Sequence, residues 1–342
     1  MDDLFIELLQ VSLGTRYELP RAPSAAEWVS IYLESQKQAV LGLMLEGLER
    51  LPKEQLPKRD LLLQWIGLAQ MNERSYLLQC EKANKLTARF RIGGFDICVL
   101  KGIGTAQLYP IPARRQCGDI DIWVSGNRKK VTKWLKTQCD VSHAEWHHTG
   151  AQFFEDVPVE VHFYPAWQYN PSHNRILQCL FWLMKKSQLK DRPIGFNYPT
   201  PEFEFVFSLV HTFHHLLEEG VGMRHIVDYF YILKALPIAK RDESIKRIER
   251  LGLKKFLGAM VWVLKEVCGM QSELMLCEPD QKEGRFLLKE IMAGGNLGKS
   301  RTDGLMRNSW NRYCLMLKHY PSEVLWMVPW KVWHRTWKLF NN

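Results

Sequence analysis

Apolar residues recur at three- and four-residue intervals through the first ninety positions, give way to short apolar and alternating runs broken by glycine turns between about 95 and 164, and return to helical recurrence after Pro165. Ser24-Ala-Ala-Glu27 is a capping box, and Trp28, Ile31, Tyr32, Ala39, Leu43 and Leu48 follow it on one helical recurrence. Lys53 to Pro57 punctuates the pattern, and a long helix is predicted from Arg59 to about Arg91 with Leu62, Trp65, Leu68, Leu77 and Leu86 on its buried face. Gly93-Gly94 ends it, and an α/β segment is expected from Phe95 to about Tyr164. The later helical part is interrupted at Asp191 to Pro201. The chain therefore divides into an N-terminal helical region (1–92), an α/β core (93–165) and a C-terminal helical domain (166–342). The fold class is α+β, a short mixed sheet flanked by helices.

That middle segment carries the chemistry. Gly118-Asp-Ile-Asp-Ile-Trp-Val124 places Asp119 and Asp121 two positions apart in an apolar run, so both carboxylates leave one face of a strand. Starting about 6.6 Å apart, two bare charges would repel by about 2.5 kcal/mol at an effective dielectric of 20. A hard divalent cation, magnesium or manganese, removes that cost and takes substrate phosphates at the same time. Val157-Pro-Val-Glu-Val-His-Phe163 alternates likewise and projects Glu160 and His162 from one face, with Pro158 limiting the strand to a start or an edge. Paired beside the first strand, Glu160 completes an Asp, Asp, Glu cluster of the kind two-metal phosphoryl transfer uses. The bland alternative for Glu160 and His162 is a solvated strand face.

Upstream, Cys98-Val-Leu-Lys101-Gly102-Ile103-Gly104 reads as strand, glycine turn and short helix through Tyr109. Glycine lets the backbone approach an anion, the helix start offers unpaired N–H groups, and Lys101 adds positive charge. Arg114 and Arg115 follow, and an arginine fork just before Gly118 and Asp119 suits a β- or γ-phosphate. Solvation of each arginine is the plainer reading. Neither the P-loop spacing nor the dinucleotide fingerprint is present.

Taken in order, Leu100-Lys101-Gly102, Leu108-Tyr109-Pro110, Arg115-Gln-Cys-Gly118-Asp119-Ile-Asp121-Ile and Val159-Glu160-Val-His162 resemble the uncharacterised bacterial nucleotidyltransferases of the DNA polymerase β-like superfamily. The resemblance implies a minimal nucleotidyltransferase core, with metal roles for Asp119, Asp121 and Glu160 and the phosphate turn at Gly102. The chain has Lys101-Gly102-Ile103 where the superfamily usually carries Gly-Ser or Gly-Gly. More loosely, the likeness extends over residues 24 to 300.

The chain has 342 residues, enough for about two domains, and its 46% apolar content suffices for a core. Its eight cysteines form no C-x-x-C pair, and with no secretory leader after Met1-Asp2-Asp3 a reducing cytoplasm is expected. Uninterrupted apolar runs of membrane-spanning length are absent from the sequence.

In the C-terminal half, His211, His214 and His215 share a helix with spacing able to bind zinc, although packing or a substrate-facing role is the plainer reading. Arg224 and Asp228, four apart, form either a helix salt bridge or, if the helical domain folds over the core, place Arg224 at the nucleotide. Net charge is +9, and residues 301–342 hold seven Lys or Arg against two acids. There Trp330, Trp333, Trp337 and Phe340 fall on one helical stripe, with Trp326 nearby and Pro329 placed at the first turn. Such a stripe can dock on the protein itself, stack on bases, or lie on an anionic membrane.

Together these features predict a magnesium-dependent transfer of a nucleoside monophosphate from a nucleoside triphosphate to an acceptor hydroxyl. The acceptor is a protein, an RNA or a small molecule, and peripheral membrane contact would run through the tail. Lys101, Gly102, Arg115, Gly118, His162 and Arg224 are the expected nucleotide-binding residues. The competing readings are a catalytically silent nucleotide- or RNA-binding module and a membrane-surface enzyme of glycan assembly.

Overall fold

The computed structural model describes residues 3–142, 145–189, 194–298 and 309–341. Four helices come first: α1 (Asp3–Leu13), α2 (Ala25–Lys37), α3 (Leu41–Arg50) and α4 (Arg59–Ile92). The α/β segment follows as β1 (Ile97–Val99), α5 (Ile103–Ala106), β2 (Ile120–Val124), α6 (Arg128–Leu135), β3 (His148–Gly150) and β4 (Val159–His162). The rest is helical: α7 (Pro171–Gln188), α8 (Pro201–Glu218), α9 (Met223–Ala235), α10 (Arg241–Arg250), α11 (Lys254–Cys268), α12 (Gln281–Gly294), α13 (Ser309–His319) and α14 (Pro321–Asn341). Asp191 to Pro193, where the interruption before α8 was expected to begin, lie outside the described residues.

The capping box forms as read: Ser24 Oγ accepts the Glu27 N–H, and the Glu27 carboxylate accepts the Ser24 N–H. The recurrence through Leu48, however, is not one helix. It breaks at Gln38 to Val40, where Ala39 takes a left-handed φ of 56° without being glycine. The cause is tertiary. The Gln38 side-chain oxygen accepts the Met223 N–H at 2.8 Å and its carbonyl accepts the Arg224 N–H at 3.3 Å, so the end of α2 caps the start of α9.

The sheet runs in the order β1-β2-β4-β3. β2 and β4 are parallel, with Asp121 opposite Glu160 and Trp123 opposite His162, while β1 and β3 pair antiparallel on either side. Pro158 sits immediately before β4, where its missing N–H is harmless and its carbonyl accepts the Ile120 N–H at 3.0 Å. The sequence reading did not include β3. Its His-Thr-Gly is too short and polar to alternate, and it forms only because β4 offers an open edge.

Two cores are separate in space. One lies between the sheet, α6 and the far half of α4, with Leu86, Phe90, Ile122, Val131 and Val161 in it. The other gathers helices from both ends of the chain, including Phe5, Trp28, Met44, Phe207 and Phe256. The 34-residue α4 spans both, burying Trp65 and Ala69 in the helical core and Ala83, Leu86 and Phe90 in the sheet core.

At the junction, Glu204 of α8 is buried against α5. It accepts hydrogen bonds from Thr105 Oγ1 at 3.1 Å and Ser208 Oγ at 2.7 Å. Burial dominates those bonds and raises its pKa to about 7. The unfolded chain releases this proton near 4.5, so the stability due to the protonated form is full below that pH and is lost as pH rises through 7. The loss is at most about 3 kcal/mol. Glu204→Gln keeps the shape without the charge, so its stabilising effect in denaturant titrations should be about 1–3 kcal/mol larger at pH 8 than at pH 5. An equal effect at both pH values would refute the buried-acid account.

Candidate active site

Parallel pairing sets Asp121 and Glu160 abreast on one face of the sheet, with His162 two residues further along β4 on that same face. His162 Nε2 lies 2.8 Å from Asp121 Oδ1 and 3.4 Å from Glu160 Oε2. One ligand atom from each of the three falls within 4.8 Å of the others, the one such metal-competent group among the described residues. Lys101 Nζ reaches Asp121 Oδ1 at 3.2 Å. Asp121 is fully buried, and its Oδ2 has no hydrogen-bond partner. A buried carboxylate oxygen left open is costly unless something cationic meets it.

Electrostatics agree with the geometry. Burial would discharge the His162 ring, but its hydrogen bonds to Asp121 and Glu160 and the charge of Asp121 raise its pKa to about 9. The His162 hydrogen bond, against the opposing effect of burial, brings Glu160 down to about 2. For Lys101 burial also works against charge, and is outweighed by Asp121, Asp119 and Glu160. With Asp121 and Glu160 held as a pair, two neighbouring cations balance the acids.

Asp119 lies one residue before β2, outside the three-residue cluster, at the rim of a cavity of about 400 Å³ between the sheet unit and the helical layer. Lys101, Gly102, Arg115 and Gly118 line the same cavity from the sheet side, and His211, His215 and Arg224 from the helical side. Gly102 holds φ 63°, and a Cβ there would lie 3.3 Å from the Asp119 carbonyl, which explains glycine at this turn. The Gly118 carbonyl accepts from the buried Gln79 amide at 2.8 Å, tying the acidic strand's entry to α4.

Arg115 is not a loose fork. Its Nε and Nη2 donate to the two oxygens of Asp228 at 2.7 Å each, and Tyr109 Oη donates to Asp228 Oδ1 at 2.6 Å. Asp228 of α9 thus pairs with Arg115 from the loop before β2, and the Arg224 to Asp228 helix bridge does not form as a hydrogen bond. Arg224 instead donates to the Gln116 carbonyl at 3.0 Å, while its buried Nε has no partner. Its backbone is anchored by Gln38.

The histidine helix also divides. His211 and His215 face the cavity with their Nε2 atoms 3.0 Å apart, and His215 Nδ1 meets Glu219 at 3.1 Å. His214 turns the other way, against Trp167 and Tyr169, and burial drops it to about 4. Among the described residues no third ligand joins the His211 and His215 pair. Sequence reasoning placed His162 near Glu160 without its link to Asp121, and overlooked Gln38, Gln79 and Glu219. Only tertiary contacts distinguish Gln38 and Gln79 from ordinary helix-surface residues, whereas the i,i+4 spacing of His215 and Glu219 was a local signal that could have found Glu219.

The tail departs from expectation in one respect. Pro329 lies inside α14, which starts at Pro321. Trp330 stacks on Trp167 at 3.9 Å, Trp333 meets Trp146 edge-on, and Arg128 covers Trp337. The side chain of Phe340 lies outside the described ones.

A short mixed sheet thus sets two acids abreast beside a glycine turn, under a helical layer that closes a polar cavity. The chain belongs to the family of uncharacterised nucleotidyltransferases, whose family model matches residues 24–269. A solved structure, an antigenic nucleotidyltransferase-like protein from Paracoccidioides brasiliensis, is similar at 13% identity with a TM-score of 0.37, over 60% of this chain and 96% of that one. Among curated proteins none matches the chain.

Proposed function

We propose that the protein transfers a nucleoside monophosphate from a nucleoside triphosphate to an acceptor hydroxyl and releases pyrophosphate. One observation carries the reading: the buried, open Oδ2 of Asp121 beside Glu160, joined to the neighbouring polar cavity through Lys101, which contacts Asp121 and lines that cavity together with Asp119. The donor set fits a hard divalent cation, since two carboxylates offer oxygens and His162 keeps both in place. Asp121 and Glu160, with Asp119 adjacent, would hold magnesium or manganese, which when bound neutralises triphosphate charge and polarises the acceptor oxygen.

The chain's own groups do the rest. Lys101 and the Gly102 turn grip the phosphates, and Arg224, with no carboxylate hydrogen-bonded to it, faces them across the cavity. Arg115 holds that wall through Asp228, and Gly118 leaves room beside Asp119. The acceptor oxygen bonds to the α-phosphorus as the bond from that phosphorus to the bridging oxygen breaks, and pyrophosphate leaves with the bond's electrons. The hydroxyl proton leaves to solvent, because Glu160, held down to about 2 by His162, serves as a ligand and is too weak a base to take it.

The test supplies α-phosphate-labelled nucleoside triphosphates, magnesium and a cell extract to the purified chain. Label should appear on an extract component with one pyrophosphate per transfer. Nucleotide binding with neither product would mark a silent nucleotide- or RNA-binding module instead.

Gly102→Ala probes the turn. Alanine at a φ of 63° is strained and its methyl crowds the Asp119 carbonyl, so nucleoside triphosphate affinity, read by calorimetry, should fall about tenfold or more for a stability loss of roughly 1–2 kcal/mol. Unchanged affinity would remove this turn from the phosphate site.

A further inference from the structure

The helix α14 is apolar on two opposite faces. Val324, Met327 and Trp330 pack inward on the helical core, and the ring of Trp330 lies on Trp167. Pointing the other way, Leu325, Val328, Val332 and Leu339 recur at intervals of three, four and seven and are half or more exposed, with the half-exposed Trp326 at their border. A surface helix of a globular protein normally turns polar residues outward, and one apolar all round is covered on every side. No described segment of this chain covers the outer strip.

Charge identifies the cover. Arg335 flanks the strip, with the half-exposed Lys331 one turn away against Glu218, and the last 42 residues carry an excess of five positive charges in a chain of net charge +9. A second copy laid on the strip would bring the same lysine and arginine together, whereas an anionic surface attracts them. An apolar face with a tryptophan and basic residues along its edge is the pattern of a helix lying in the plane of a bilayer. No helix of the described residues is long and apolar enough to cross a membrane. We propose that the outer face of α14 docks this protein on an anionic lipid surface, the helix lying flat at the level of the headgroups. Lys and Arg stems let the charged ends reach the phosphates while Leu325, Val328 and Val332 enter the acyl boundary.

The docked face explains how this serves the fold. Glu145 of the sheet unit binds Lys338 and His334, and Lys331 reaches Glu218 of α8 at 3.3 Å. The helix is therefore held to both units with its outer face unencumbered. This inference rests on the exposed strip and its charge, independent of the reaction assigned to the cavity.

The experiment mixes the full chain with vesicles of phosphatidylcholine alone or of equimolar phosphatidylglycerol and phosphatidylcholine, and measures the bound fraction by flotation. Binding should be about tenfold or more stronger to the anionic vesicles and should weaken at high salt. The double variant Leu325→Asp, Val332→Asp should lose it by a similar factor, while its unfolding curve and its nucleotide affinity stay those of wild type. Lys331→Glu with Arg335→Glu should abolish the preference for phosphatidylglycerol. Equal binding to both vesicle types, or undiminished binding of the Asp variant, would overturn the proposal. So would a dimer, seen by sedimentation without lipid, that the Asp variant dissociates, because a second copy would then be the cover.

Discussion

Asp121→Asn should lower pyrophosphate release by at least about a thousandfold, equivalent to about 4 kcal/mol of barrier. The substitution keeps side-chain size at a position with no solvent exposure, so packing is held while charge is removed. Three consequences converge. The oxygen now open to a cation loses its anionic character. The asparagine amide, if turned toward Lys101 and His162, presents donors to donors. His162 loses the principal acid that keeps it protonated, so its pKa falls from about 9 toward burial-dominated values. Magnesium-dependent stabilisation by nucleoside triphosphate, read as a melting shift, should vanish in parallel. A melting curve without nucleotide separates lost chemistry from lost fold. Release within tenfold of wild type, from a folded variant, would end the two-carboxylate account.

Asp228→Ala should destabilise the chain by about 3–5 kcal/mol, the usual consequence of stranding one member of a buried ion pair. The guanidinium of Arg115 is 6% exposed, holds Asp228 through two hydrogen bonds of 2.7 Å, and has Arg224 as a charged neighbour. Without the carboxylate, two cations face each other in a low-dielectric junction, and Tyr109 loses its acceptor as well. For a chain of this length the melting temperature should drop by roughly 4–7 °C. The paired change Arg115→Met with Asp228→Leu should recover most of that loss, because an apolar pair of similar volume replaces the ions without stranding either. A drop of under a degree in Asp228→Ala would show that water reaches the pair and screens it.

That junction also shows where reading along the chain stops. Arg115 and Asp228 are 113 residues apart, and each alone is compatible with a solvated loop, a phosphate fork or a helix bridge. The choice among these depends on which helix covers the cavity. Gln38 is a similar case, since an unremarkable glutamine near the end of α2 becomes the cap of α9 only once the two ends of the chain share a core.

Local patterns in the sequence were enough for the elements whose physics is local. The Ser24 capping box, the extent of the long α4 though not all of its buried face, since Leu77 is exposed, and the Asp121 and Glu160 strands are set by neighbours within a few positions, through hydrogen bonding and side-chain periodicity. The α+β class followed from those strands between helical stretches. Tertiary structure alone decided the parallel register that sets Asp121 opposite Glu160, the strand at His148–Gly150 and the left-handed break at Ala39. It also turned α14 so that one apolar face is docked and the other is left outward. Each of these depends on free energy shared between distant segments, which exists only after the chain has closed on itself.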